Sequence, residues 1–188
     1  SYNLVSIRLN PYKEFMSAII SKKIDSTLVL ELNRPKVINA LNRELLKELH
    51  ENLLKPPGSI KALILTGSSG KGFSAGADLK ELAKMDVSEV KSYLELAIEA
   101  LKTLERYPRP TVAMLHGYVL GGGLELALAR DFLIAEEKAI LGLPETKLGL
   151  IPGFEGEKRL KRRVGATKAK EMIFTGKQIG AKEALSIK

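Results

Sequence analysis

Apolar residues recur along this chain in two rhythms that take turns, a tight one of period two or less and a looser one of three to four. Met16 to Ile24 and Thr27 to Leu32 carry the tight rhythm and flank Asp25-Ser26, which predicts two strands joined by a turn. Asn42 to Leu54 then places Leu45, Leu46, Leu49 and Leu53 at helical spacing, and Pro56-Pro57-Gly58 stops that amphipathic helix. Ile60 to Thr66 is almost wholly apolar, the pattern of a strand buried on both faces. Ser88 to Arg106 reads as a long helix capped by Ser88 and ended by Pro108 and Pro110. A strand at Thr111 to Leu115, a helix at Gly122 to Arg130, and strands at Phe132 to Ala135 and Ile140 to Leu143 continue the alternation.

Helices that alternate with buried strands predict an α/β fold with a parallel sheet and right-handed crossovers. Ser1 to Phe15 has mixed polarity, Pro11 and no clear period, so it is expected to be an N-terminal tail or linker ahead of one core domain over residues 16–188. At 188 residues and 45% hydrophobic content, the chain is sized for the core of one domain. No fixed-period repeat or low-complexity tract interrupts it.

Composition removes several kinds of chemistry. The chain has no cysteine, which excludes disulfides, a thiolate nucleophile and cysteine-ligated metal. Its two histidines, His50 and His116, argue against a Ser-His-Asp machine and against a zinc site. No apolar run is long enough to span a bilayer and the N-terminus is not built as a signal peptide, so the expectation is a soluble cytoplasmic protein without membrane partners.

The formal net charge of +8 is compatible with nucleic acid, a membrane surface or an anionic small molecule. Much of the excess lies in Glu155 to Lys170, where seven Lys or Arg stand against two Glu. The bland reading is a solvated helix face, and the lack of interleaved aromatic residues argues against nucleic acid as a partner.

Two loops and two acids carry the candidate chemistry. Gly117 to Leu128 (GYVLGGGLELAL) runs three consecutive glycines into a helix with one acid, Glu125. The glycines permit close backbone approach, and the unpaired N–H groups of a helix start suit an oxygen that develops negative charge. Lys71 to Leu82 (KGFSAGADLKEL) is a second small-residue loop before a helix. Alone it reads as an ordinary connection; with the first it can direct two backbone N–H groups at one carbonyl oxygen. In Gly142 to Gly153 (GLPETKLGLIPG), Glu145 follows Pro144 among apolar residues that would desolvate it and raise its pKa. Two carboxylates beside two N–H loops point to enolate chemistry on a carbonyl compound.

LELNRPKVINAL, GFSAGADLKEL, HGYVLGGGLELALARD, GLPETKLGLIPG and KEMIFTGKQIGAKEAL, in this order, resemble the successive motifs of the crotonase superfamily, most closely its enoyl-CoA hydratases. The resemblance runs from about Met16 to the C-terminus. It implies a crotonase-like spiral of repeated ββα units. Family members usually continue past the position of Lys188 into a helical trimerisation region, so most of that region is expected to be missing here, and the core is expected to be truncated.

Further expectations follow residue by residue from the resemblance. The oxyanion hole for the acyl-CoA thioester would be the N–H groups of Ala77 and Gly122, and the two acids would be Glu125 and Glu145, at the family's usual separation. Syn addition of water to a trans-2-enoyl-CoA would use Glu125 to activate the water for attack at Cβ and Glu145 to protonate Cα. Loss of one oxyanion donor should cost about 3 kcal/mol of barrier. The N–H of Gly153 would help orient the water, and Ala77, Asp78, Leu79 and Lys80 would form the CoA-binding loop, with Lys80 near the phosphates. No cofactor is implied beyond the coenzyme A of the substrate.

A homotrimer or dimer of trimers is implied for full-length members, and a fused 3-hydroxyacyl-CoA dehydrogenase part is one parent that the family allows. Two alternatives stand beside the hydratase: an enoyl-CoA isomerase, which relies more on the second acid, and a non-catalytic RNA-binding relative. The chain departs from the family after Gly153, where Phe154-Glu155-Gly156-Glu157-Lys158-Arg159-Leu160 stands in place of a small-residue run leading into Thr-Gln-Arg-Leu. The charges at 155 and 157 would either reshape the pocket or point to solvent.

Overall fold

The computed structural model describes residues 17–68 and 70–187, so the expected tail and Met16 lie outside the described residues. Strands β1 (Ile19–Ile24) and β2 (Thr27–Leu32) form the expected hairpin, with Asp25 turning the chain at φ 51°. Strand β3 (Ala62–Gly67) lies parallel to β2, β4 (Thr111–Leu115) parallel to β3, and β6 (Phe132–Ala135) parallel to β4, completing a five-stranded sheet. A smaller sheet contains β5 (Tyr118–Leu120), β7 (Ile140–Gly142) and β8 (Gln178–Gly180).

The helices are α1 (Arg43–Leu54), α2 (Leu79–Leu82), α3 (Val87–Glu105), α4 (Gly122–Leu128), α5 (Gly156–Thr175) and α6 (Ala181–Ser186). Read in order, β1-β2-α1, β4-β5-α4 and β6-β7-α5 are repeated ββα units. In the second and third of these, the first strand joins the large sheet and the second joins the small one. The repeat is geometric rather than sequential, which is why no fixed period marks it in the sequence.

Two local expectations are corrected. Helix α3 is capped by Asp86, not Ser88: Asp86 Oδ1 accepts from the Glu89 N–H at 2.8 Å and Glu89 Oε2 accepts from the Asp86 N–H at 2.9 Å. That reciprocal pair satisfies two backbone donors, whereas a cap at Ser88 would satisfy one. Strand β3 is not buried on both faces. Leu63, Leu65 and Gly67 are buried while Ala62, Ile64 and Thr66 are only half-buried, so the sheet has one core face. On the other face Met114, Phe132 and Ile134 are exposed, leaving apolar surface uncovered by the described residues.

The core face joins Leu30, Leu32, Leu63, Leu65, Ala113 and Leu115 to Leu45, Leu46 and Leu49 of α1 and to Tyr93, Ala97 and Leu101 of α3 in one buried cluster. Each fully buried leucine contributes about 1.5–3 kcal/mol. All seven residues of α4 are buried, so the helix that carries Glu125 is enclosed and fixed in position. No helix among the described residues is long and apolar enough to cross a membrane.

Candidate active site

The two glycine-bearing loops lie against each other. Phe73 N–H donates to His116 O, Ser74 N–H to Tyr118 O and Leu120 N–H to Ser74 O, at 2.9, 3.1 and 3.0 Å. Beyond this zipper the backbones come closer than side chains allow. Gly76 has φ +98°, and a methyl group on it would stand 2.9 Å from Leu120 O and 3.1 Å from Gly122 N. Glycine is required at 76 both for its conformation and for this approach.

Ala77 and Gly122 each present a backbone N–H here. The groups flanking Ala77 are occupied, with Leu41 N–H donating to Gly76 O at 2.8 Å and Asp78 N–H to Leu41 O at 3.1 Å. Gly122 is the first residue of α4, where no intrahelical acceptor exists. Among the described residues, neither N–H has an acceptor.

Glu125 lies one turn into α4 and is 1% exposed. Its Oε1 accepts from the N–H groups of Phe154 at 2.9 Å and Gly156 at 2.7 Å. Burial pushes its pKa up to about 7, against the opposing pull of the Gly156 N–H; the nearby Glu145 charge adds to the rise, while the Phe154 N–H and Arg159 oppose it. Glu145 opens a 3-10 turn, Glu145–Leu148, and burial raises its pKa too. Its Oε2 is buried with no hydrogen-bond partner among the described residues, and a methyl group on Gly121 would stand 3.0 Å from its Oε1. Both acids thus border the N-terminus of α4, one held by two backbone donors and the other with a bare oxygen.

The remaining predicted positions are placed less uniformly. Asp78 caps α2, accepting from the Lys80 and Glu81 N–H groups at 3.2 Å each and from Arg34 Nη1 at 2.9 Å. Burial would raise its pKa, but these partners outweigh it and hold the carboxyl below its usual value. Leu79 and Lys80 are exposed at the start of α2. Gly153 packs against Leu94 of α3, and the donors to Glu125 are the N–H groups of Phe154 and Gly156 rather than its own.

Glu155 turns away from the acids. It takes a left-handed conformation, φ 65°, and pairs with Lys158 at 2.7 Å and Lys102 at 3.9 Å; the Lys158 hydrogen bond leads in lowering its pKa. Glu157 is exposed. The basic run is partly neutralised within the fold: Arg159 pairs with Glu105, and Lys168 with Glu171 and Glu183.

Several supporting residues escaped the sequence reading. Asn39 donates to Gly72 O and Phe73 O at 3.1 Å each and accepts from Arg34 N–H and Ser68 Oγ, tying the loop at 72 to the 3-10 turn Pro35–Val37. Tyr93 donates its hydroxyl to Leu41 O at 2.7 Å and packs its ring, tilted by 57°, 5.8 Å from that of Phe154. Phe154 in turn covers Gly122, where a methyl group would stand 2.6 Å from its ring. Arg159 donates to Phe154 O. Asn39 lies within the NRPKVINAL motif, the one signal that pointed toward it.

A family model described as enoyl-CoA hydratase/isomerase matches residues 22–187. The chain belongs to the enoyl-CoA hydratase/isomerase family. It is 40% identical to the short-chain-enoyl-CoA hydratase of Clostridium acetobutylicum over 92% of this chain and 67% of that protein. It is 39% identical to the crotonyl-CoA hydratase of Syntrophomonas wolfei over 90% of this chain and 66% of that one. The crystal structure of an enoyl-CoA hydratase from Bacillus anthracis superposes with a TM-score of 0.88 at 40% identity, over 91% of this chain and 67% of its own. The enoyl-CoA hydratase structure from Thermoplasma volcanium gives 0.86 at 32% identity. The fold is therefore crotonase-like, and the chain spans about two thirds of the length of these relatives.

Proposed function

We propose that this chain carries the active site of an enoyl-CoA hydratase, a lyase that adds water to a trans-2-enoyl-CoA to give a 3-hydroxyacyl-CoA. The observation that carries the reading is the pair of buried acids of raised pKa bordering the same helix start as two backbone N–H groups that have no acceptor among the described residues. The relatives' hydratase names support the same substrate class.

In this reading the thioester oxygen accepts from the Ala77 and Gly122 N–H groups, and the Gly153 N–H helps to hold the water. Ionised Glu125 removes a proton from the water as its oxygen bonds to Cβ. The electron pair of the double bond moves toward the thioester, whose enolate oxygen is stabilised by the two donors. Glu145, protonated, delivers its proton to Cα. Exchange of one proton between the acids, or with solvent, restores the starting state. Two N–H bonds favour the carboxylate at Glu125, and the bare Oε2 of Glu145 suits a protonated acid, which supports this division of roles.

Ala77, Asp78, Leu79 and Lys80 form the coenzyme A loop in the same reading, with Asp78 shaping it through its cap and its Arg34 pair. No cofactor beyond coenzyme A takes part. A homotrimer acting in the cytoplasm completes the proposal, and the exposed Met114, Phe132 and Ile134 supply apolar surface for assembly.

The test is to offer crotonyl-CoA and a 3-enoyl-CoA to the protein separately. Hydration of crotonyl-CoA to 3-hydroxybutyryl-CoA is expected. Turnover of the 3-enoyl-CoA without hydration of crotonyl-CoA would instead assign an isomerase.

A further inference from the structure

At the far end of α4 from the acids lies a cavity of about 450 Å³, lined by Glu105, Arg130, Asp131, Arg159, Arg162 and Arg163 together with Leu128 and Ala129. Its volume falls within the range of small-molecule sites. Four guanidiniums face two carboxylates there, and both carboxylates are already engaged. Glu105 takes Arg159 in a two-pronged pair, Nε to Oε1 at 3.0 Å and Nη2 to Oε2 at 2.9 Å. Asp131 accepts from the Thr111 N–H at 2.8 Å and the Thr111 hydroxyl at 2.7 Å. Among the described residues, Arg130, Arg162 and Arg163 have no carboxylate partner, the ion pairs of this wall going to Arg159.

Arg130 is 3% exposed. Its Nη1 donates to Leu104 O at 3.1 Å and its Nη2 to Ala129 O, while its Nε is buried with no partner among the described residues. Arg163 donates to Arg130 O and to Asp131 O, which holds its guanidinium at the rim, and Arg162 is exposed beside it. Asp131 and Glu105 act on Arg130 only through space, with no ion pair to it among the described residues, so this buried cation is incompletely compensated and a bound anion would offset the remaining cost. Several planar guanidiniums around one space match the oxygens of a phosphate group better than a single carboxylate.

We propose that this cavity is a binding site for a phosphate-bearing anion, held by Arg130, Arg162 and Arg163. The volume leaves room for a phosphate ester or diphosphate. The phosphate belongs either to a separate ligand or to the coenzyme A of a substrate; the chemistry of recognition is the same. The site does not rest on the hydratase reading, because binding is measured without turnover.

Titration calorimetry with inorganic phosphate and pyrophosphate tests it, on wild-type protein and on R162Q/R163Q, whose substitutions are at exposed positions. Saturable binding, weakened about tenfold or more in the variant, is expected for the loss of charge-assisted hydrogen bonds. Circular dichroism of the variant checks that it is folded, and R162Q alone should show a smaller loss of the same sign. Coenzyme A and dephospho-coenzyme A identify the source. If wild type prefers coenzyme A and the variant loses that preference, the phosphate is the substrate's; if the variant leaves both unchanged but loses pyrophosphate, the ligand is separate. No saturable binding of either phosphate probe, or equal binding by the variant, would overturn the proposal.

Discussion

The two ends of α4 solve opposite electrostatic problems within one enclosed helix. At the N-terminal end, backbone N–H groups approach through glycine and two carboxylates are pushed toward their neutral forms. At the C-terminal end, guanidiniums gather, and backbone carbonyls of Leu104, Ala129, Arg130 and Asp131 accept their hydrogen bonds. The difference is in what completes each end. Glu125 is completed internally by Phe154 and Gly156, whereas the arginine end retains more cations than the fold neutralises. Arg159 links the two, binding Glu105 on one side and Phe154 O on the other. The lesson is that backbone donors can position a reacting acid, while excess side-chain charge is a feature available to a ligand.

Removing the charge at the acid end should give the largest effect. Glu125 has a folded pKa of about 7 against an ordinary 4.5, so the folded state binds its proton more tightly. Stability should therefore fall as pH rises from 4.5 to about 7, by about 3 kcal/mol in total. Urea unfolding of wild type against E125Q should show a steeper fall in wild type, the fall left in E125Q coming from Glu145, whose pKa burial also raises. Equal slopes would break the contrast between the two ends.

At the linking arginine, R159M should cost about 2–3 kcal/mol by the same measurement, below the range for fully buried pairs because Glu105 is 30% exposed and recovers water. A cost near zero would mean that the two ends are not joined through this side chain. G156A places a methyl group against Glu125 Cγ and should destabilise by about 1–2 kcal/mol while lowering activity more than stability alone explains. Kinetics on the folded variant at low temperature would separate the two effects.

The smallest change is E155G. Relief of the left-handed backbone is worth about 1 kcal/mol and the lost surface ion pairs a few tenths, so a net gain of about 0.5 kcal/mol is expected in thermal unfolding. A net loss would show that the pairs of Glu155 with Lys158 and Lys102 matter more than its backbone.

Much of the architecture was legible because local pattern and fold agree. Leu45, Leu46, Leu49 and Leu53 point inward from α1, and the hairpin turns where Asp25-Ser26 predicts. The errors came where a neighbour decides. Ser88 lost the cap to Asp86 because Glu89 reciprocates, and β3 exposes one edge of its apolar run because no described element covers that face. The acids and the glycine loops could be named from the sequence, and the fold brings them to one helix end. Arg34 and Asn39 could not, since their partners lie in the later segment between 68 and 78 and no local periodicity encodes such contacts. Phe154 was visible only as a departure from small residues; its packing on Gly122 and Tyr93 needed the fold.

The central claim is that Glu125 and Glu145 act together on one water. Its most direct test is kcat for crotonyl-CoA hydration in wild type, E125Q, E145Q and the double variant. Each single change should lower kcat by about 10²–10⁴-fold, and the double variant should be little worse than either, because acids that work as a unit are not additive. Hydration that survives either single change, or losses that simply multiply in the double variant, would contradict the account.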